Sequence, residues 1–84
     1  MQNFTSNIKS ITVDTLLAGF KAVIRNNTES AYVAAGKIGS VEVNPSLSVL
    51  VYEALNCTYV VQAAVMIRGQ VRVVAQAEMD MDDM

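Results

Sequence analysis

The region between Asp14 and Arg25 has the hydrophobic spacing of an amphipathic helix. Its apolar positions recur at intervals of three and four residues and so fall on one face: Val13, Leu16, Leu17, Phe20 and Ile24. The opposite face is small or charged: Thr15, Ala18, Lys21, Ala22 and Arg25. Either Thr12 or Asp14 can cap the start, and Asn26-Asn27 can stop the helix. We therefore predict a helix over 14–25.

The segments on either side of this helix fit more than one structure. Residues 8–13 are short and β-branched, which suits either an edge strand or a lead-in to the helix. After the Asn pair, Thr28-Glu29-Ser30 opens a segment that Gly36 would close as a C′ glycine. We interpret this segment as a second short helix, although Tyr32 and Val33 suit a strand equally well.

From Ser40 onward the pattern changes to alternation with a period of two. Turn signals at Asn44-Pro45, at residues 53–56 and at Arg68-Gly69 divide this region. They predict four strands over residues 41–43, 47–52, 58–67 and 71–79.

The last two predicted strands form a hairpin whose register can be derived from its side chains. A three-residue loop of Arg68, Gly69 and Gln70 makes one face apolar throughout, whereas a two-residue turn scatters polar residues across it. The three-residue loop pairs Tyr59 with Met79, Val61 with Ala77, Ala63 with Ala75, Val65 with Val73 and Ile67 with Val71. On the other face it pairs Val60 with Glu78, Gln62 with Gln76, Ala64 with Val74 and Met66 with Arg72. We predict this register.

These elements predict a single α+β domain over residues 1–79, followed by an acidic, frayed tail over 80–84. The N-terminal helix, with or without the second short one, packs on a four-stranded antiparallel sheet in meander order. One helix covers one face of the sheet, and the other face retains Val60, Ala64, Met66 and Val74. Because soluble monomers rarely expose a continuous apolar patch, we predict that these four residues form an interface between copies of the chain.

Composition narrows the possible chemistry. The 84 residues are 52% apolar and 17% charged, and they include no histidine and one cysteine. Triads that use His and metal sites built from His or several Cys are therefore excluded. We interpret Cys57 as an inert, buried thiol and Glu53 as an outward-facing turn residue rather than a catalytic carboxylate. The chain is thus expected to be non-enzymatic and to use no cofactor.

The segment Gly36-Lys37-Ile38-Gly39-Ser40 is the one stretch that resembles a ligand-binding motif. Glycines around a lysine can turn backbone N–H groups toward an anion, and the candidate residues are Gly36, Lys37, Gly39 and Ser40. The segment fails as a Walker A loop because Ala31 stands where the first glycine belongs. As the GXXG loop of a KH domain it lacks a following helix. An ordinary connection from helix to strand is the favoured interpretation.

The remaining expectations concern partners and location. The six basic residues are scattered among eight acidic ones, so no nucleic-acid partner is expected. Residues 43–67 carry one charge but read as strands, so no membrane partner is expected, and without a signal segment we expect cytoplasmic synthesis. The leading hypothesis is a homo-oligomeric structural or interaction protein, such as an accessory component of a virion. The alternatives are an inhibitor or regulator of another macromolecule, and a binder of a small anionic ligand through residues 36–40.

Overall fold

The computed structural model describes residues 1–26, 37–54 and 58–84, which form one helix and one five-stranded antiparallel sheet. The helix α1 spans Val13–Asn26. The strands are β1 (Gln2–Ser6), β2 (Lys37–Asn44), β3 (Leu47–Glu53), β4 (Tyr59–Ile67) and β5 (Gln70–Met79). The predicted α+β class is confirmed. The predicted second helix and Cys57 lie outside the described residues.

The order of strands in the sheet is β1-β5-β4-β3-β2, and every neighbouring pair is antiparallel. The meander from β2 to β5 is therefore confirmed, but the prediction of four strands is wrong because β1 adds a fifth next to β5. The sequence does not predict β1, because Phe4 is its single apolar residue and its side chains show no alternation of apolar and polar positions. Residues 8–12, the alternative candidate for an edge strand, instead lead into the helix.

The start of α1 is fixed by two threonines. The N–H groups of Thr15 and Leu16 donate to the carbonyl oxygen of Thr12. The N–H of Thr12 donates to Thr15 Oγ1 at 3.2 Å. Thr12 is therefore the capping residue, and Asp14 and Arg25 complement the two ends of the helix dipole.

The core lies between α1 and one face of the sheet, which we call the helix face. Leu16, Phe20 and Val23 project from the helix onto Val49 and Val51 of β3, and all five side chains are buried. The other buried members of the core cluster are Ile11, Val61, Ala63, Val74, Ala75, Ala77 and Met79. Gly19 lets the helix approach closely, because a Cβ at this position would lie 2.5 Å from Val49 Cγ1. The burial of this face supplies the main stabilisation of the fold.

The hairpin between β4 and β5 uses two registers, and this corrects the prediction of a three-residue loop. Near the turn, Ile67 pairs with Gln70 around a two-residue turn, in which Arg68 and Gly69 both have positive φ as in a type I′ turn. Farther from the turn, Ala63 pairs with Ala75 as predicted. The predicted pairs from Ala63 back to Tyr59 are all present, whereas those between Ala64 and Ile67 are shifted.

A β-bulge joins the two registers. Ala63 pairs with Ala75 and Ala64 with Val73, so Val74 is the extra residue on β5. Val74 is only 6% exposed and belongs to the core cluster, and its carbonyl accepts the N–H of Asn7 at 2.7 Å. The bulge lets a two-residue turn coexist with the apolar pairing that the sequence favoured.

Candidate functional site

The described residues contain no cluster of side chains that could hold a metal ion. None of their side chains forms a group of three or more potential metal ligands, and their core contains no buried polar or charged residue. Glu53 is exposed at the end of β3, where it pairs with Tyr59 of β4, as expected of an outward-facing residue. Within residues 1–26, 37–54 and 58–84, no helix is long and apolar enough to cross a membrane.

Three of the four candidate anion-binding residues lie in a strand rather than in a loop. Lys37, Gly39 and Ser40 all belong to β2, where they pair with Tyr52, Val51 and Leu50 of β3. Gly36 lies outside the described residues. The strand β2 therefore begins at Lys37, four residues before the predicted start at Val41. Pairing with β3 outweighs the weak strand preference of glycine.

The predicted interface residues are placed in two different environments. Val60, Ala64 and Met66 alternate along β4 on the face of the sheet opposite α1, which we call the open face. Val74, in contrast, packs into the core through the bulge, and Val73 takes the position opposite Ala64. Val73 is therefore the residue of β5 that continues the open face. The role of this surface as an interface stays a prediction.

The open face carries a set of apolar side chains across three strands, which we call the apolar strip. Its members are Leu50, Tyr52, Val60, Ala64, Met66, Val71 and Val73. Val60 pairs with Tyr52 across β3 and β4, and Met66 pairs with Val71 across β4 and β5. Only Ala64 of this group counts among the buried hydrophobic residues, and none belongs to the core cluster or packs against it.

Ser48, opposite Ala64, and the pair Gln62 and Gln76 are the polar residues between the members of the apolar strip. Gln62 Nε2 donates to Gln76 Oε1 at 2.9 Å in the middle of the open face. Glu78 lies at the margin, where it accepts a hydrogen bond from Asn3 Nδ2, and Glu42 lies at the opposite margin on β2. The apolar strip itself contains no ionised side chain, and the amide hydrogen bond satisfies one donor of Gln62 and one acceptor of Gln76.

The strip is most exposed at the turn end of the hairpin. Val71 is 64% exposed, Met66 54% and Val73 43%. β3 reaches only as far as Val65, and β1 pairs with β5 only from Ala75 onward. The outer edge of residues 70–73 therefore has no neighbouring strand among the described residues. Exposed aliphatic side chains of this density are typical of a contact surface.

The opposite end of the same hairpin is acidic. A cleft of about 460 Å³ is lined by Met1, Gln2, Ala54, Thr58, Glu78, Met79, Asp80 and Asp83. The amino group of Met1 lies 2.8 Å from Asp83 Oδ1, and this hydrogen bond raises the pKa of the amine and lowers the pKa of the Asp83 carboxyl. Residues 81–83, predicted to fray, form a 3-10 turn that Asp80 caps through the N–H of Asp82. The Asp83 carboxylate thus links the two ends of the chain.

No family model, curated protein or solved structure matches this chain.

Proposed function

We propose that this chain is a non-enzymatic structural or interaction protein that forms homo-oligomers through the apolar strip. The observation that carries the proposal is the exposure of Met66, Val71 and Val73 on a sheet face that no described element covers. Packing two such faces against each other removes this surface from water, as in a β-sandwich whose sheets stack about 10 Å apart. We take a second copy of the chain as the partner, because self-association requires no other protein to be present.

The setting that we propose is a larger assembly, such as a virion, in which the chain is a small accessory component. Support for this comes from the small size of the chain, 9.1 kDa. The alternative, an inhibitor or regulator, would use the same strip on a different macromolecule. It differs in one consequence, since the purified chain would then be monomeric.

The test is the mass in solution, measured by light scattering after size exclusion over a tenfold range of concentration. We expect the unmodified chain to contain at least two protomers, and Met66→Lys to halve the mass at every concentration. A lysine at this position must lose its hydration when the two faces pack together.

Met81→Lys is the matched control, because Met81 is 49% exposed but lies outside the sheet. It should retain the mass of the unmodified chain. A monomer at all concentrations, or a Met66→Lys variant with unchanged mass, would contradict self-association through the apolar strip.

A further inference from the structure

The edge of β5 near the turn offers backbone groups to another strand. In a two-residue hairpin, Ile67 and Gln70 exchange both of their hydrogen bonds, and the bonded pairs then alternate along the ladder. The N–H and C=O groups of Val71 and Val73 therefore point away from β4. Since β1 ends opposite Ala75, no described strand meets them. An unpaired strand edge of this kind is a template for strand addition.

The side chains of this edge define what the added strand must carry. Val71 and Val73 lie on the open face, and Arg72, opposite Val65, lies on the helix face. Residues 62–77 contain no carboxylate that could pair with Arg72. Pairing two copies of this edge about Arg72 would place like charges directly opposite each other, which is destabilising. The edge therefore favours a strand with apolar residues flanking an acidic one.

The other edge of the same sheet has that pattern. β2 is the last strand of the sheet and pairs with β3 alone among the described strands. It contains Val41-Glu42-Val43, in which Glu42 is exposed on the open face opposite Ser48 and Val41 lies on the helix face. Beside it, between α1 and β2, runs a groove of about 380 Å³. Its lining is mostly apolar and consists of Thr15, Ala18, Gly19, Ala22, Val41, Glu42 and Val43.

We infer that the β5 edge of one copy adds to the β2 edge of the next, with the second copy turned over so that the helices lie on alternate sides. This orientation brings the helix face of the first copy, with Arg72, level with Glu42 on the open face of the second. It also places Val71 and Val73 on the side of the second copy's apolar groove. A single orientation thus satisfies the charge and the apolar side chains, and it pairs the β2 edge with the part of the β5 edge that β1 leaves uncovered.

This contact is heterologous, because it joins two different edges. Repeating it yields a ring or an open chain of copies rather than a closed dimer. It rests on the proposed function only in taking a second copy as the partner, and it uses a surface that is distinct from face-to-face packing of the apolar strip.

A charge exchange tests the contact. In light scattering over increasing concentration, the mass of the unmodified chain should rise as copies add. Arg72→Glu and Glu42→Arg should each raise the concentration needed for this growth by at least about tenfold, because like charges then face each other. The double variant should restore growth. Both side chains are exposed, so the circular dichroism spectrum should be unchanged.

Arg68→Glu is the control, since it makes the same charge change in the turn, beyond the paired edge. It should leave the growth intact. Growth that persists in both single variants, or a double variant that stays arrested, would overturn the edge contact. The two proposals fail in different ways. If the apolar strip is an interface, Met66→Lys halves the mass but the mass still grows with concentration. If the edge contact exists, Arg72→Glu stops this growth but does not halve the mass of the smallest species.

Discussion

The two halves of the β4–β5 hairpin consist of the same two strands but differ in what surrounds them. In the inner half, residues 59–63 pair with 75–79 and lie between β3 and β1. Val61, Ala77 and Met79 are almost completely buried there. In the outer half, residues 64–67 pair with 70–73, and Ile67, on the same helix face as Val61, is 46% exposed. Burial in this sheet is therefore decided by neighbouring elements rather than by residue type.

The bulge at Val74 is the boundary between the halves. It turns Val74 into the core and leaves Val73, the preceding residue, on the open face. A single inserted residue thus exchanges the faces of everything between it and the turn, which is the effect of a one-residue slip in register. Adjacent valines on the same strand have opposite roles as a result.

The largest expected effect comes from placing the same charge at these two valines. Val74→Asp should lower the free energy of unfolding by about 3–5 kcal/mol, because it leaves a buried carboxylate without a partner. Val73→Asp should change it by less than about 0.5 kcal/mol, because the side chain reaches solvent. Urea unfolding followed by circular dichroism gives both values. Equal losses would mean that the bulge does not separate core from surface.

The sequence predicts the inner half of this hairpin and fails on the outer half for one physical reason. Comparing two uniform registers correctly pairs Ala63 with Ala75 and Gln62 with Gln76, since the apolar and polar positions there match. A uniform register cannot include an extra residue on one strand, so it predicts that Val74 lies on the open face. The sequence does contain a signal, which is a conflict: Gly69 suits the positive φ of a two-residue turn, whereas the side chains favour a three-residue loop.

The other misplaced elements have tertiary causes. β1 is formed from Gln2–Ser6, whose mostly polar residues are held by pairing with β5. Lys37 and Gly39 belong to a strand because β3 offers them partners, although glycines favour turns in isolation. For the candidate surface, alternation along β4 identified Val60, Ala64 and Met66, whereas Val71 and Val73 required the register of the outer half. Alternation within one strand is thus predictable from the sequence, whereas a bulge and the pairing of a polar segment with a distant strand are not.

A second, smaller effect tests the close contact by which α1 covers the helix face. Gly19→Ala should destabilise the fold by about 1–3 kcal/mol, because the new Cβ overlaps the branched side chain of Val49. Combining it with Val49→Ala should recover part of this loss, since the overlapping methyl groups are removed. Thermal unfolding of the two single variants and the double variant measures the coupling. Purely additive losses would show that the helix does not rest on Val49.

The smallest expected effect concerns the charges that close the inner end of the hairpin. The hydrogen bond from the Met1 amine, with that from the Asp80 N–H, holds the pKa of Asp83 below its ordinary value of 3.8. The stabilisation from this carboxylate is therefore present above about pH 4 and is lost as the pH falls through the lowered pKa. The same contact raises the pKa of the amine above 8.0, so the amine contributes fully below about pH 8 and its contribution is lost as the pH rises through the raised pKa.

The contact should accordingly be strongest between about pH 4 and pH 8. An NMR titration of the Asp83 carboxyl carbon measures its pKa, and Asp83→Asn should return the Met1 amine toward its ordinary value. Both groups are accessible to solvent, so salt should weaken the shifts. If Asp83 titrates at 3.8 or above, the chain ends are not joined in solution. The inner half would then depend on its strands and helix alone, which would sharpen its contrast with the outer half.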